Sequence, residues 1–354
     1  MEHVYQYLLF LAQTATIVVA VLVVISSVAA LGMRRQQQAT GHLEITKLNE
    51  EFSDLKHTLQ AAMLPAGVVK KARKREHKAS EAAAKAAVKA AKRKPEGEVA
   101  APRKRLFVLD FHGDLQANQV KYLRNEITAV LTDARDSDEV LVRLESPGGL
   151  VHSYGLAASQ LDRVRKRGVP LVVAVDKVAA SGGYLMAAVA DRILAAPFAV
   201  LGSIGVVAQI PNVHRLLKRH DVDVEVLTAG RYKRTLTVLG ENTEEGRKKF
   251  IEELEDVHDQ FQSFVGRHRP EVDMNVVATG ETWHGERAIE LKLADEICTS
   301  DEYLLRASEN ADIFEVHWVE HRRPIERLLA QVEGRMEALA ERLYDKLTHW
   351  RGNP

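Results

Sequence analysis

Cysteine is nearly absent. Cys298 is the only one in 354 residues, so no intrachain disulfide and no multi-cysteine metal site can form. A lone cysteine is most simply a buried apolar filler. Net charge is absent too, with 49 basic residues against 49 acidic ones, although the charges are unevenly spread. No HExxH and no ligand triad at metal spacing occurs, so the chain offers no metal site and no cofactor is expected. No charged residue lies between Glu2 and Arg34.

That last gap is informative. Within it Leu8–Leu31 is a run of 24 residues, mostly Leu, Val, Ala and Ile. As a helix it can cross a hydrocarbon core of about 30 Å. A secretory signal peptide would need a basic stretch before the run, and none exists. Residues 1–35 are therefore expected to be a retained N-terminal transmembrane anchor. Arg34 and Arg35 follow at once, which by the positive-inside rule places the bulk of the chain in the cytoplasm.

Residues 36–102 read as a membrane-proximal segment and a basic linker. Ile45–Gln60 has the composition of a short helix. Lys70–Lys94 carries 11 Lys or Arg against two Glu, with many alanines. These are good helix formers without a wide apolar face. A solvated spacer ending near Pro95–Pro102 is expected. Tethering near a bilayer also favours contact with anionic lipid. Specific nucleic-acid binding is disfavoured, because no aromatic residues are interleaved to stack on bases.

At Arg103 the pattern changes. Strands are expected at Arg105–Phe111, Val140–Ser146, Leu171–Val175, Arg192–Ala196 and Val224–Thr228. Helices are expected at 118–134, Val151–Arg167 and Thr243–Arg267, with a further helix inside Thr279–Ile297. Strand and helix alternating at this spacing indicate a parallel α/β domain over residues 103–310. Ligands in such folds sit beyond the carboxyl ends of the strands. His112-Gly113, Gly148-Gly149 and Ser181-Gly182 all lie at such ends. The extension 311–354 contains an amphipathic pattern: Ile325, Leu328, Leu329, Val332, Met336, Leu339, Leu343 and Leu347 form one apolar stripe. It must pack on its own domain, on the membrane surface or on a sister subunit, the last being preferred.

The stretch Ala179–Ala190, AASGGYLMAAVA, follows the apolar run Pro170–Asp176. A serine held between a strand and a helix has a free N–H beside it, as a nucleophile with half an oxyanion hole requires. The alternative is a tight turn whose glycines only permit close packing. A nucleophile needs a base. His214, His220, His258 and His268 sit in charged helical segments. His112 and His152 lie nearer the cleft and remain candidates. A lysine serves if burial or nearby cations lower its pKa. Lys233 lies between Arg231 and Arg234 and near Tyr232, Leu236 and Val238, but a lone loop lysine is ordinarily solvated.

Taken together, Leu144–Gly149, Ala180–Ala187, Leu201–Val206, Ala229–Arg234 and the Trp283-His284-Gly285, Ala288 and Leu293-Ala294-Asp295 segment resemble the SppA/SohB family of membrane-anchored serine peptidases. The resemblance implies a ClpP/crotonase-like spiral core and a Ser–Lys dyad of Ser181 and Lys233. It implies that Ser203 orients the lysine. The oxyanion donors would be the N–H of Gly182 and one from Gly148 or Gly149. It also implies an inner-membrane homo-oligomer cleaving peptides or unfolded proteins, on the periplasmic face, against the charge rule. Two features depart from the family: Lys292 stands where glycine is common, and the basic linker is long. A crotonase-like acyl-CoA enzyme and a catalytically silent membrane scaffold are the rival readings.

Overall fold

The structure is a computed structural model that describes residues 41–65 and 103–320, with isolated positions between 67 and 82. The apolar run Leu8–Leu31, most of the basic segment and the stripe Ile325–Leu347 lie outside the described residues. Among the described residues no helix is long and apolar enough to cross a membrane. The chain divides into two compact units. One comprises Met1–His42 and Val319–Pro354 and falls almost wholly outside the described residues; the other is Leu43–Trp318.

In chain order the described elements begin with β1 (Gly41–Lys47) and α1 (Leu48–Met63). Then come β2 (Lys104–His112), α2 (Val120–Asp133), β3 (Glu139–Glu145), α3 (Val151–Lys166) and β4 (Leu171–Val175). Next are β5 (Val178–Ala180), α4 (Gly182–Ala187), β6 (Arg192–Ala195), β7 (Val200–Gly202) and α5 (His214–Arg219). The long α6 (Glu244–His268) leads to α7 (Met274–Val277), β8 (Thr282–His284), α8 (Gly285–Glu290), β9 (Glu296–Ile297), α9 (Ser300–Ser308) and β10 (Ala311–Glu320).

Seven strands form one sheet in the order β1-β10-β2-β3-β4-β6-β9, and from β10 to β9 every pairing is parallel. β5, β7 and β8 form a small second sheet. A parallel sheet is covered on both faces, so its strands read as nearly continuous apolar runs; β4, LVVAV, is buried throughout. Leu109, Phe111, Val142, Leu144 and Val173 face one core with Tyr154, Ala157, Ala158, Leu161 and Val164 of α3. That helical spacing of three and four puts the five on a single face. The opposite core holds Leu106, Val108, Leu141 and Val172 with Leu48 of α1 and Tyr303 and Leu304 of α9.

The α/β class and the elements from β2 to β4, β6 and α6 fall where the sequence predicts them. Three expectations are corrected. Ile45–Gln60 is not helical from its start: the alternating stretch GHLEITK pairs at the sheet edge as β1, and the helix begins at Leu48. Val224–Thr228 forms no strand. Its alternating valines favour an extended chain, but no neighbouring edge receives their backbone hydrogen bonds. The sheet also takes in Ala311–Glu320, beyond the expected boundary at 310.

Candidate active site

β3 and β5 are tied end to end beside the expected nucleophile. The Ser146 N–H donates to the Val178 carbonyl at 2.8 Å, and the Ala180 N–H donates to the Ser146 carbonyl at 3.0 Å. The Pro147-Gly148-Gly149 turn thereby lies against Ser181. A Cβ on Gly148 would come within 2.7 Å of the Ala180 carbonyl oxygen, the Gly182 nitrogen and the Ser181 Cβ. Only glycine permits this approach, and its φ of +90° demands glycine as well.

Ser181 sits between β5 and α4 at φ 50°, ψ −120°. This is a sparsely populated conformation for a residue with a side chain, costing about 1–3 kcal/mol. Such strain persists only where the surroundings impose it. Here the Ser181 N–H donates to the Gly202 carbonyl at 2.8 Å, and the Leu185 N–H donates to the Ser181 carbonyl at 2.9 Å. The result is a sharp strand-to-helix turn with the serine at its apex, half-exposed.

Ser203 is its neighbour. β5 and β7 run parallel with Ala180 opposite Gly202, so the two serines leave adjacent strand ends side by side, about 5 Å apart in backbone. Ser203 also has a positive φ, 51°. Its N–H donates to the Glu281 carbonyl at 2.6 Å, and the Ile204 carbonyl accepts from the Gly280 N–H at 3.2 Å. His258, on α6, is half-buried and reaches the same Ile204 carbonyl through Nε2 at 3.3 Å.

The backbone donors divide. The Gly148 N–H is already bonded inward, to Ser146 Oγ at 3.1 Å. The N–H groups of Gly149 and Gly182 have no acceptor among the described residues. Of the two glycines expected to share the oxyanion role, Gly149 is therefore the one with a free donor.

Lys233 is bonded to none of them among the described residues. It is exposed, in the segment between α5 and α6, and among the described residues its ammonium has no hydrogen-bond or ion-pair partner. No hydrogen bond joins it to Ser181 among the described residues. The segment is held chiefly to itself: Asn212 Nδ2 donates to the Thr237 and Gly240 carbonyls at 2.9 and 3.0 Å, and the Val213 N–H to the Val238 carbonyl at 2.9 Å. Apolar side chains in it face water, with Leu227 88% and Leu239 46% exposed. His112 is exposed and lies 3.8 Å from Glu145, and His152 is exposed. Neither is hydrogen-bonded to Ser181 among the described residues.

Two residues escaped the sequence analysis. Ser146, directly before the Pro-Gly-Gly turn, and Tyr154, the one hydroxyl-bearing side chain on the buried face of α3, are bonded to each other at 2.6 Å under the site. The sequence signal was available: a serine abutting the glycines and a tyrosine eight residues on.

Elsewhere, ligand atoms of Asp110, Glu315 and His317 lie within 4.8 Å of one another. The Arg143 guanidinium already bonds both carboxylates and occupies the place of a cation. A cavity of about 380 Å³ lies at the amino ends of the strands, lined by Lys104, Glu139, Arg192, Glu296, Tyr303 and Arg306. Its charges are paired with one another, and it is at the opposite end of the sheet from Ser181.

Two family models account for most of the chain. The N-terminal model of peptidase family S49 matches residues 2–161 and the peptidase family S49 model matches residues 163–313. The chain belongs to peptidase family S49. It is 51% identical over 314 residues to a "Probable protease SohB" of Haemophilus influenzae, covering 88% of each chain. It is 40% identical over 321 residues to a "Putative protease SohB" of Buchnera aphidicola subsp. Baizongia pistaciae, covering 89% of this chain and 90% of that one. Among solved structures, a membrane-bound stomatin-specific protease in complex with a substrate peptide superposes with a TM-score of 0.40 at 11% identity, over 65% of this chain and 98% of that one. As an S49 member the protein is a peptidase, a hydrolase of peptide bonds.

Proposed function

We propose that the protein is a membrane-anchored serine endopeptidase acting through an acyl-enzyme, with Ser181 as nucleophile and Lys233 as base, on a ClpP/crotonase-like core. The observation that carries this is the strained turn at Ser181, set beside two backbone N–H groups without acceptors among the described residues. In this reading neutral Lys233 takes the Ser181 proton as Oγ attacks the scissile carbonyl. The oxyanion rests between the N–H groups of Gly182 and Gly149. The lysine then passes its proton to the leaving amine, and water repeats the sequence on the ester. Ser203 orients the lysine amine.

An exposed ammonium cannot act as a base at neutral pH, so Lys233 must be desolvated before it works. The exposed apolar side chains around it supply the means if further copies of the chain cover them. A homo-oligomer that encloses its serines and admits flexible peptide or unfolded substrates fits this requirement. The apolar run Leu8–Leu31 would anchor it in a bacterial inner membrane, and the stripe Ile325–Leu347 would add subunit contacts.

The test is peptide hydrolysis by the full chain in detergent. Ser181→Ala, Lys233→Ala and Lys233→Arg should each abolish turnover, the last because guanidinium stays protonated. The Ser181→Ala/Lys233→Ala double variant should be little worse than either single one. Ser203→Ala should slow turnover by a smaller factor. Hydrolysis surviving in Ser181→Ala would overturn the nucleophile, and hydrolysis surviving in Lys233→Ala but lost in His112→Ala or His152→Ala would replace the base.

A further inference from the structure

We propose that Ser146 and Tyr154 are positioning residues that set the oxyanion hole, through a buried hydroxyl relay with a single possible direction. The inference rests on Ser181 being the nucleophile. Tyr154 Oη lies 2.8 Å from the Asp114 carbonyl oxygen. A carbonyl only accepts, so the single phenolic proton is committed to it. The 2.6 Å contact between Ser146 Oγ and Tyr154 Oη must then carry the serine proton toward the tyrosine. Ser146 Oγ is left with lone pairs, and it accepts the Gly148 N–H at 3.1 Å. Each hydroxyl donates once and accepts once. Both side chains are buried, and burial pushes the Tyr154 phenol above its ordinary range, so it remains a protonated donor.

The relay reaches both halves of the proposed hole. Through Ser146 it holds the Gly148 N–H inward, which leaves the Gly149 N–H as the donor without an acceptor among the described residues. The Tyr154 ring supports the other half: a Cβ on Gly182 would come within 2.4 Å of the ring's Cγ. One side chain thus fixes the depth of Gly182 with its ring and the rotation of the Gly148 peptide with its hydroxyl. The relay also explains Gly113, where a Cβ would lie 2.2 Å from Ser146 Oγ and 2.4 Å from Tyr154 Oη. Without Ser146 the Gly148 N–H would be a buried orphan donor, and its peptide would turn to find another acceptor. Donors aimed at a developing oxyanion matter most in the transition state. Their misplacement should therefore lower kcat and leave substrate affinity nearly unchanged.

The experiment uses the full chain in detergent with a peptide substrate and a fluorophosphonate probe, whose phosphorus Ser181 attacks with loss of fluoride, placing a negatively charged phosphoryl oxygen in the same hole. Tyr154→Phe keeps the ring and should lower kcat and the labelling rate together by about tenfold, and Ser146→Ala by about a hundredfold, as for loss of one oxyanion donor. KM should stay within about twofold, and the thermal midpoint of Tyr154→Phe should be close to that of the parent. The double variant should be no slower than Ser146→Ala, because the tyrosine hydroxyl acts through the serine. Unchanged kcat and labelling in both single variants would overturn the proposal. So would a rise in KM alone, or losses that track the thermal midpoint. Hydrolysis persisting in Ser181→Ala would overturn the nucleophile reading itself, a result separable from the others because it needs neither relay variant.

Discussion

Glu126 should make the fold less stable as pH rises, and Glu126→Gln should remove that dependence. The residue lies on the buried face of α2 with Leu123, Ile127 and Val130. Its Oε1 accepts the Trp318 backbone N–H at 2.8 Å, but Oε2 is buried without a partner among the described residues. Burial pushes the carboxyl from 4.5 up to about 7, only partly offset by the Trp318 N–H and by His317, with Asp110 adding to the rise. The folded state thus holds the proton more tightly than the unfolded state does. Below 4.5 both states are protonated and the fold carries no penalty. Between 4.5 and 7 the unfolded state releases its proton first, so stability falls with rising pH, and above 7 the loss is complete. At about 1.36 kcal/mol per pH unit the full loss is on the order of 3 kcal/mol, of which roughly 1 kcal/mol develops between about pH 6 and pH 8.5. Glutamine keeps the acceptor for Trp318 but leaves an amide N–H₂ unpaired, a cost of about 1 kcal/mol. The net gain at high pH is then about 2 kcal/mol, or roughly 4–8 °C in thermal midpoint for a domain of this size. Unfolding of parent and variant in detergent at the two pH values is the assay. Parallel pH dependence in the two proteins, or a variant less stable at the higher pH, would refute the reasoning.

Lys292 stands in the left-handed region at φ 62°, where a side chain costs about 1 kcal/mol. Lys292→Gly should raise the thermal midpoint by a degree or two, since greater freedom in the unfolded chain cancels part of the gain; a fall would show that the lysine side chain holds the turn. Carbonate and high-salt washing should leave the full chain with the membrane if Leu8–Leu31 spans it, and release of intact chain would refute the anchor. Turnover per mole should decline on dilution, in step with loss of assembled mass by light scattering, if Lys233 is buried by neighbouring copies. Constant turnover per mole down to the monomer mass would mean that the lysine finds its burial within one chain.

The positions of β2, β3, β4 and α3 were legible because alternating strand and helix patterns ended in glycine-rich turns at matching sites. The turn at Ser181 was legible for the same reason, as a serine between an apolar strand and an apolar helix. The Lys292 departure was also visible: the family resemblance led to the expectation of glycine there, and the position has a positive φ. The relay beneath the site was not read, because Ser146 and Tyr154 look like a turn residue and a core aromatic. Only their directed hydrogen bonds distinguish them from that. Nor could the sequence separate Gly148 from Gly149, since their difference is which N–H has already found an oxygen.

The two members of the proposed dyad are fixed at different levels of organisation. Ser181 is held by contacts close to it: the β5–β7 register, the Gly202 carbonyl, and Gly148 packed against its Cβ. A buried core stands behind all of them, so one folded chain suffices to impose its strain. Lys233 lies on a segment whose internal hydrogen bonds keep its shape while Leu227 and Leu239 remain in water. Nothing local to it supplies the low-dielectric surroundings a lysine base needs. Its sequence neighbours had suggested such surroundings, but proximity along a chain does not exclude water; only a covering surface does. A nucleophile prepared by the fold and a base prepared by burial would together keep an isolated chain inactive, with hydrolysis beginning where the exposed apolar segment is covered.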